Sequence, residues 1–165
     1  MLRDGDRRTI GRSTELVKLV LNQPRSFPQL LACLWSDHPA VRMRAADAAE
    51  KISATHPALL RHHKKELLGL SSETTQIELR WHLAAMIPRL PLTANEKQQA
   101  TKILRRYLED RSSIVKTFAL QALADLAQND ADLRQEVIEL LEKAIRSGTP
   151  AMRARARKLL KHSRS

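Results

Sequence analysis

The sequence predicts an all-α fold: a right-handed α-α superhelix (solenoid) of about four helix pairs, preceded by one N-terminal helix. Three observations predict it. The stretch Asp37 to Ile52, DHPAVRMRAADAAEKI, returns three more times in degraded form. Val41-Arg42-Met43-Arg44-Ala45 aligns with Ile77-Glu78-Leu79-Arg80-Trp81, with Val115-Lys116-Thr117-Phe118-Ala119 and with Met152-Arg153-Ala154-Arg155-Ala156. The lead residues lie 36, 38 and 37 positions apart. A fixed period of that length marks stacked helical repeats, because one such unit cannot bury its apolar face alone. The second observation is the apolar arc. At about 100° per residue, Val41, Ala45, Ala48, Ala49 and Ile52 share one side of a helix, as do Val115, Ala119, Ala122, Leu123 and Leu126. The third is that aromatic residues make up only 3% of the chain, which suits Leu and Ala packing between helices.

The elements follow in order. Residues 1–12 read as a flexible lead-in. A short helix from Ser13 to Leu21 turns Leu16, Leu19 and Val20 inward and stops before Pro24. Ser26-Phe27-Pro28-Gln29 has the pattern of a capping box and opens a helix through Trp35. Asp37 is the expected N-cap of the first motif helix, with Pro39 in its first turn, where a missing N–H costs nothing. Pro57 begins the next helix, which runs to Gly69 with Leu59, Leu60, His63, Leu67 and Leu68 inside. The second motif helix covers about Glu73 to Arg89, broken by Pro88 and Pro91.

Thr93 to Glu96 forms another capping box, and its helix carries Ala100, Ile103, Leu104, Tyr107 and Leu108 on the core side. The third motif helix spans about Ser112 to Ala127. Asp130 caps a helix through Ile145, with Leu133, Val137, Leu140, Leu141 and Ile145 inward. Thr149-Pro150 opens the last helix, which ends near Lys161. The whole chain, 1–165, reads as a single domain whose residues 148–165 form a basic capping helix and tail.

The pattern Asp37…Val41-Arg42…Ala45-Ala46…Ala48-Ala49…Ile52, preceded by the apolar helix with Leu30, Leu31 and Leu34, resembles a HEAT repeat. The third copy resembles one nearly as closely. The resemblance covers roughly residues 24–163. It implies a ladder between repeats, with an aspartate before the second helix pairing with a basic residue early in it. Asp37 with Arg42, and Asp110 with Lys116, fit that pairing. The second copy departs from it, with Glu78 at the basic position and Trp81 at the small one, and the fourth has Arg153 but no aspartate. Some HEAT-like proteins are alkylpurine DNA glycosylases that use tryptophans and an aspartate. Neither Trp35 nor Trp81 has an aspartate one turn away on its own face, so no catalytic residue carries over.

The net charge is +11, and the last eighteen residues hold six Lys and Arg with no Asp or Glu. More than half of the excess therefore sits at one end. The single cysteine, Cys33, cannot form an internal disulfide and reads as a core thiol in a reducing compartment. The N-terminus is charged rather than apolar, and no run approaches the ~18 apolar residues of a spanning helix, so a cytoplasmic setting is expected.

Two surfaces are candidates for binding. On the central motif helix Leu79, His82, Leu83 and Met86 project opposite the arc of Ile77, Trp81, Ala84 and Ala85. With Lys116 and Leu120 of the third helix and the flank arginines Arg44 and Arg80, they would line a concave face. Phe118 and Arg155 continue the flank row. The second surface is the last helix, where Arg153, Arg155, Arg157, Lys158 and Lys161 surround an apolar stripe and suit an anionic partner. His62 and Glu66 lack a third metal ligand. No phosphate loop, nucleophile elbow or carboxylate pair is present. The expected function is therefore a non-enzymatic scaffold without cofactor or metal that binds a protein, with an acidic surface favoured. Contact with duplex nucleic-acid backbone through the basic helix is the alternative, and a repair-type enzyme the third reading.

Overall fold

A computed structural model describes residues 10–163. Among these residues every regular element is helical: α1 Ile10–Asn22, α2 Phe27–Ala32, α3 Pro39–Thr55, α4 Lys64–Glu73, α5 Ile77–Met86, α6 Ala94–Leu108, α7 Ser113–Leu126, α8 Ala131–Ser147 and α9 Pro150–Ser163. Short 3₁₀ turns at Pro24–Ser26, Cys33–Trp35, Pro57–His63 and Ile87–Arg89 extend α2, α4 and α5 or lead into them. The expected lead-in falls mainly on residues 1–9, outside the described residues; its last three positions belong to α1.

The caps follow local chemistry, with two corrections. Thr93 and Glu96 form the reciprocal capping box on α6, and Asp130 accepts the Leu133 N–H at the start of α8. Ser26 does not cap α2. It is already helical, as the last residue of a 3₁₀ turn, so its hydroxyl turns back to donate to the Gln23 carbonyl at 2.6 Å. Asp37 does not cap α3 either. His38 occupies that position without a side-chain cap, and Ser36 Oγ accepts the His38 N–H at 3.2 Å.

Helices α1, α3, α5, α7 and α9 pack side by side in chain order, while α2, α4, α6 and α8 each lie against the following member of that row. Alanines make the row close. Ala45, Ala46, Ala48, Ala49, Ala84, Ala119, Ala122 and Ala156 are all buried, and their small side chains let neighbouring backbones approach. Leu60, Leu67, Ile103, Leu104, Val137 and Leu141 fill the space between the two layers. Across the second layer, ion pairs join successive helices: Lys64 to Glu96 at 2.7 Å, Lys97 to Asp130 at 2.7 Å and Arg105 to Glu136 at 2.6 Å. Such partly exposed pairs contribute about 0.2–1 kcal/mol each, so apolar burial carries the cohesion.

Leu19, assigned inward, is instead exposed on α1, whereas Cys33 and Leu108 are half-buried and pack against the core. Tyr107 is fully inside: its hydroxyl donates to the Ser71 carbonyl at 2.6 Å, and the Arg80 guanidinium lies 5.5 Å from its ring centre. Burial pushes this phenol well above its ordinary pKa.

The helix starts also reset the alignment of the second motif. The residues immediately before α3, α5, α7 and α9 are His38, Gln76, Ser112 and Thr149. The third residue of each helix is then Val41, Leu79, Val115 and Met152, with separations of 38, 36 and 37. Leu79, not Ile77, is the equivalent of Val41: Leu79 is 1% exposed, whereas Ile77 is 45% exposed.

Candidate binding face

The two-residue shift decides where the candidate residues lie. Leu79, Leu83 and Met86 are each 1% exposed, and His82 and Leu120 are 2% exposed. These five residues are core, not a concave surface. The reason is geometric: with Leu79 in the Val41 position, Leu83 takes the place of Ala45 and Met86 that of Ala48, all on the buried arc. Trp81, assigned to the core from sequence, is half-buried, packed against the edge of the core with its ring on Phe118 of α7.

The shift also brings the basic residues near the helix starts into register, and their partners differ from the expected ones. Arg80 now occupies the basic position beside Arg42, Lys116 and Arg153. Arg42 does not pair with Asp37. It donates to the Ser36 carbonyl at 2.6 Å and across the repeat junction to Gln76 Oε1 at 2.7 Å, while Gln76 Nε2 donates to the Pro39 carbonyl at 3.1 Å. Arg80 donates to the Thr74 carbonyl at 2.8 Å and forms an ion pair with Asp110 of the next repeat. The close ion pair of Asp110 is therefore with Arg80, while Lys116 adds only a longer-range attraction, and the other carboxylate oxygen of Asp110 accepts the Ser112 N–H at 2.8 Å. Burial raises the Asp110 pKa, but the Ser112 amide and Arg80 outweigh it and hold the carboxyl below its usual range. At the last junction the link is neutral: Ser113 and Thr149 share a hydrogen bond at 2.6 Å.

On the open side of the row, the four equivalent central positions are Asp47, Ala85, Gln121 and Lys158, and none of them is buried. Each helix reaches back toward its predecessor along this side. His82 Nε2 lies 3.6 Å from Asp47, Phe118 packs on Trp81 with ring centres 5.0 Å apart, and Arg155 donates to Gln121 Oε1 at 2.7 Å. Arg155, one of the cations assigned to an anionic partner, is thus engaged within the row.

Further along, Arg89 grips α3 through the Glu50 carboxylate at 2.6 Å, the Glu50 carbonyl at 2.7 Å and Ser53 Oγ at 2.9 Å. Asp47 accepts from Ser13 at 2.5 Å and from Lys51 at 2.6 Å. Burial pushes its pKa up, yet the neighbouring His82, Lys51 and Ser13 side chains outweigh burial and keep it ionised far below the ordinary carboxylate range. Asp125 differs. Burial raises its pKa, and Gln121, Arg89 and Arg155 only partly offset that.

Ser13, Asp47 and His82 are the residue types of a hydrolytic triad, but in the wrong order. The carboxylate stands between the other two and no imidazole sits beside the hydroxyl, so the arrangement is not that of the triad. His82 donates from Nδ1 to the Glu78 carbonyl at 2.5 Å, and its Nε2 has no hydrogen-bond partner. No cluster of three His, Cys, Asp or Glu side chains suited to a metal occurs among the described residues.

On α9, Arg157 and Lys158 are exposed and form no ion pair, Lys161 is exposed, and Arg153 is half-buried. Ala156 is completely buried, and α9 packs on both α7 and α8. The last helix is therefore part of the core as well as a charged surface. No described helix is long and apolar enough to cross a membrane. In the comparisons with known proteins, no family model, curated protein or solved structure matches the chain.

Proposed function

We propose that this chain is a non-enzymatic scaffold, a right-handed solenoid of HEAT-like helix pairs that docks another protein on the open face of α3, α5, α7 and α9. The observation that carries the reading is the Trp81–Phe118 pair. The chain has two Trp, two Phe and one Tyr, and two of these five rings meet half-exposed on that face. Beside them lie the small residues Ala85 and Ala124 and the polar residues Gln121 and Asp125, all half-buried. A partly exposed aromatic anchor with small neighbours and an arginine-bearing rim is the composition of a protein-docking centre.

The test is photocrosslinking. Benzoylphenylalanine replaces Ala85 on the open face or, as a control, Lys102 on exposed α6. Exposure to an extract of the source cells should give a defined protein adduct from position 85 and none from position 102. Excess unlabelled chain should compete for the adduct, and an Ala85→Arg/Gln121→Glu chain should not. Equal adducts from both positions would remove the proposal.

A second reading, contact with duplex nucleic-acid backbone, is favoured by Arg157 and Lys158, exposed on a helix without acidic residues. Deleting α9 would expose the core around Ala156, so the informative variant is Arg157→Glu/Lys158→Glu. Fluorescence anisotropy of a labelled duplex should then show binding that falls steeply with salt in the parent and is lost in the variant. Absence of binding at low salt retires this reading.

A further inference from the structure

The ladder at the repeat junctions changes chemistry at Lys116. Arg42 reaches Gln76 and Arg80 reaches Asp110 in the following repeat. Among the described residues Lys116, the third member of the same row, forms no close ion pair or side-chain hydrogen bond: Ser147 stands in the fourth repeat where Asp110 stands in the third, and Asp110 acts on Lys116 only at longer range. Asp110 itself is already occupied by Arg80 and Ser112. At this place a half-open cleft of about 200 Å³ separates the α6–α7 turn from the α8–α9 corner.

Lys116 and Lys143 line the cleft, Leu120, Leu140 and Met152 supply apolar wall, and Glu109 is the one acidic residue lining it. Neither lysine ammonium has a carboxylate within ion-pair distance among the described residues, and Lys116 feels Asp110 only as a longer-range attraction already shared with Arg80, so the cleft presents two incompletely neutralised cations above an apolar surface.

We propose that this cleft binds an acidic, leucine-type segment of a partner protein, one carboxylate seating between Lys116 and Lys143 and an adjacent apolar side chain entering against Leu140 and Met152. The incoming carboxylate takes the ladder position that Asp110 fills one repeat earlier. The proposal rests on the docking-scaffold reading and names the chemistry of one contact. The cleft lies at the N-terminal end of α7 and α9, away from Ala85, so the two fail separately. Charge complementarity selects an acidic segment over a basic one, and the apolar wall selects it over polyphosphate, which has no group for that surface.

The test uses the full chain and a fluorescein-labelled peptide carrying Glu-Leu-Leu-Glu between Gly-Ser flanks. Saturable binding by anisotropy is expected. It should weaken about tenfold or more in Lys116→Glu/Lys143→Glu and stay unchanged in Arg157→Glu/Lys158→Glu. Gln-Leu-Leu-Gln and Glu-Ser-Ser-Glu peptides should each bind more weakly than the parent peptide. If the charge reversal perturbs the circular dichroism spectrum, Lys116→Gln/Lys143→Gln takes its place, with a smaller loss expected. No saturable binding by the parent overturns the proposal. So does parental affinity in the lysine variants, or an equal loss in the α9 variant, which would reduce the effect to net charge.

Discussion

Asp110→Ala isolates the energy of the junction between the second and third repeats. The Asp110 side chain is 5% exposed and that of Arg80 28% exposed, so their ion pair is largely screened from water. The substitution removes a hydrogen bond between charged groups, about 2 kcal/mol, and the acceptor for the Ser112 N–H, about 1 kcal/mol. Arg80 keeps the Thr74 carbonyl and its place near the Tyr107 ring, which limits the cost of stranding it. The expected loss is about 3 kcal/mol, or about 6–12 °C in Tm for a domain of this size. Asp110→Asn retains an acceptor for Ser112 but turns an amide toward the guanidinium, and should cost about 2 kcal/mol.

The assay is urea unfolding followed by far-ultraviolet circular dichroism, run as a double-mutant cycle with Arg80→Met, which keeps an apolar stem beside Tyr107. A coupling energy of about 1.5 kcal/mol is expected. A coupling below about 0.5 kcal/mol, with both single variants still destabilised, would refute the rung as a cooperative link.

Asp47 and Asp110 both have folded pKa values below their unfolded ones. The unfolded chain therefore binds more protons in acid, so their stabilisation is complete above the ordinary carboxylate pKa, about 4, and fades as pH falls below it. The urea midpoint should drop on acidification below about pH 5. The drop should be shallower in Asp47→Asn/Asp110→Asn, which should start from a lower neutral midpoint. Asp125 has the opposite sign. Its pKa is raised by burial, so its charge weakens the folded state at neutral pH. Asp125→Asn, which keeps an acceptor for Gln121, should raise the midpoint at pH 7 and lose that gain in acid; a lowered neutral midpoint would contradict it. Leu83→Ala should cost about 2–5 kcal/mol in urea unfolding, as a buried leucine does. A loss under 1 kcal/mol would put Leu83 back on the surface.

Much of the helical plan was legible because the signals were local. Thr93 with Glu96 and Asp130 each capped a helix within four residues of chain, and Pro39 and Pro150 marked helix starts, whereas Pro57 opens only a 3₁₀ segment and α4 begins at Lys64. The buried arc of α3 followed from Ala spacing alone. The candidate face was misread because α5 is apolar on nearly every side. Ile77, Leu79 and Trp81 alternate, so either Ile77 or Leu79 fits the lead position, and periodicity cannot choose between them. Arg80 held the missing signal: setting it beside Arg42 and Lys116 selects Leu79 at once. The partners of Arg42 and Arg80 were not legible, since Gln76 and Asp110 lie more than a full helix further along the chain.

Tyr107 makes the second-to-third junction self-reporting. It is the only tyrosine in the chain, and its phenol is locked onto the Ser71 carbonyl across that junction with its ionisation suppressed. Tyrosinate forms readily only when the two repeats part and water reaches the ring. The ultraviolet signature of ionised phenol in mild alkali therefore counts openings of one seam, in an unlabelled molecule whose other seams stay silent.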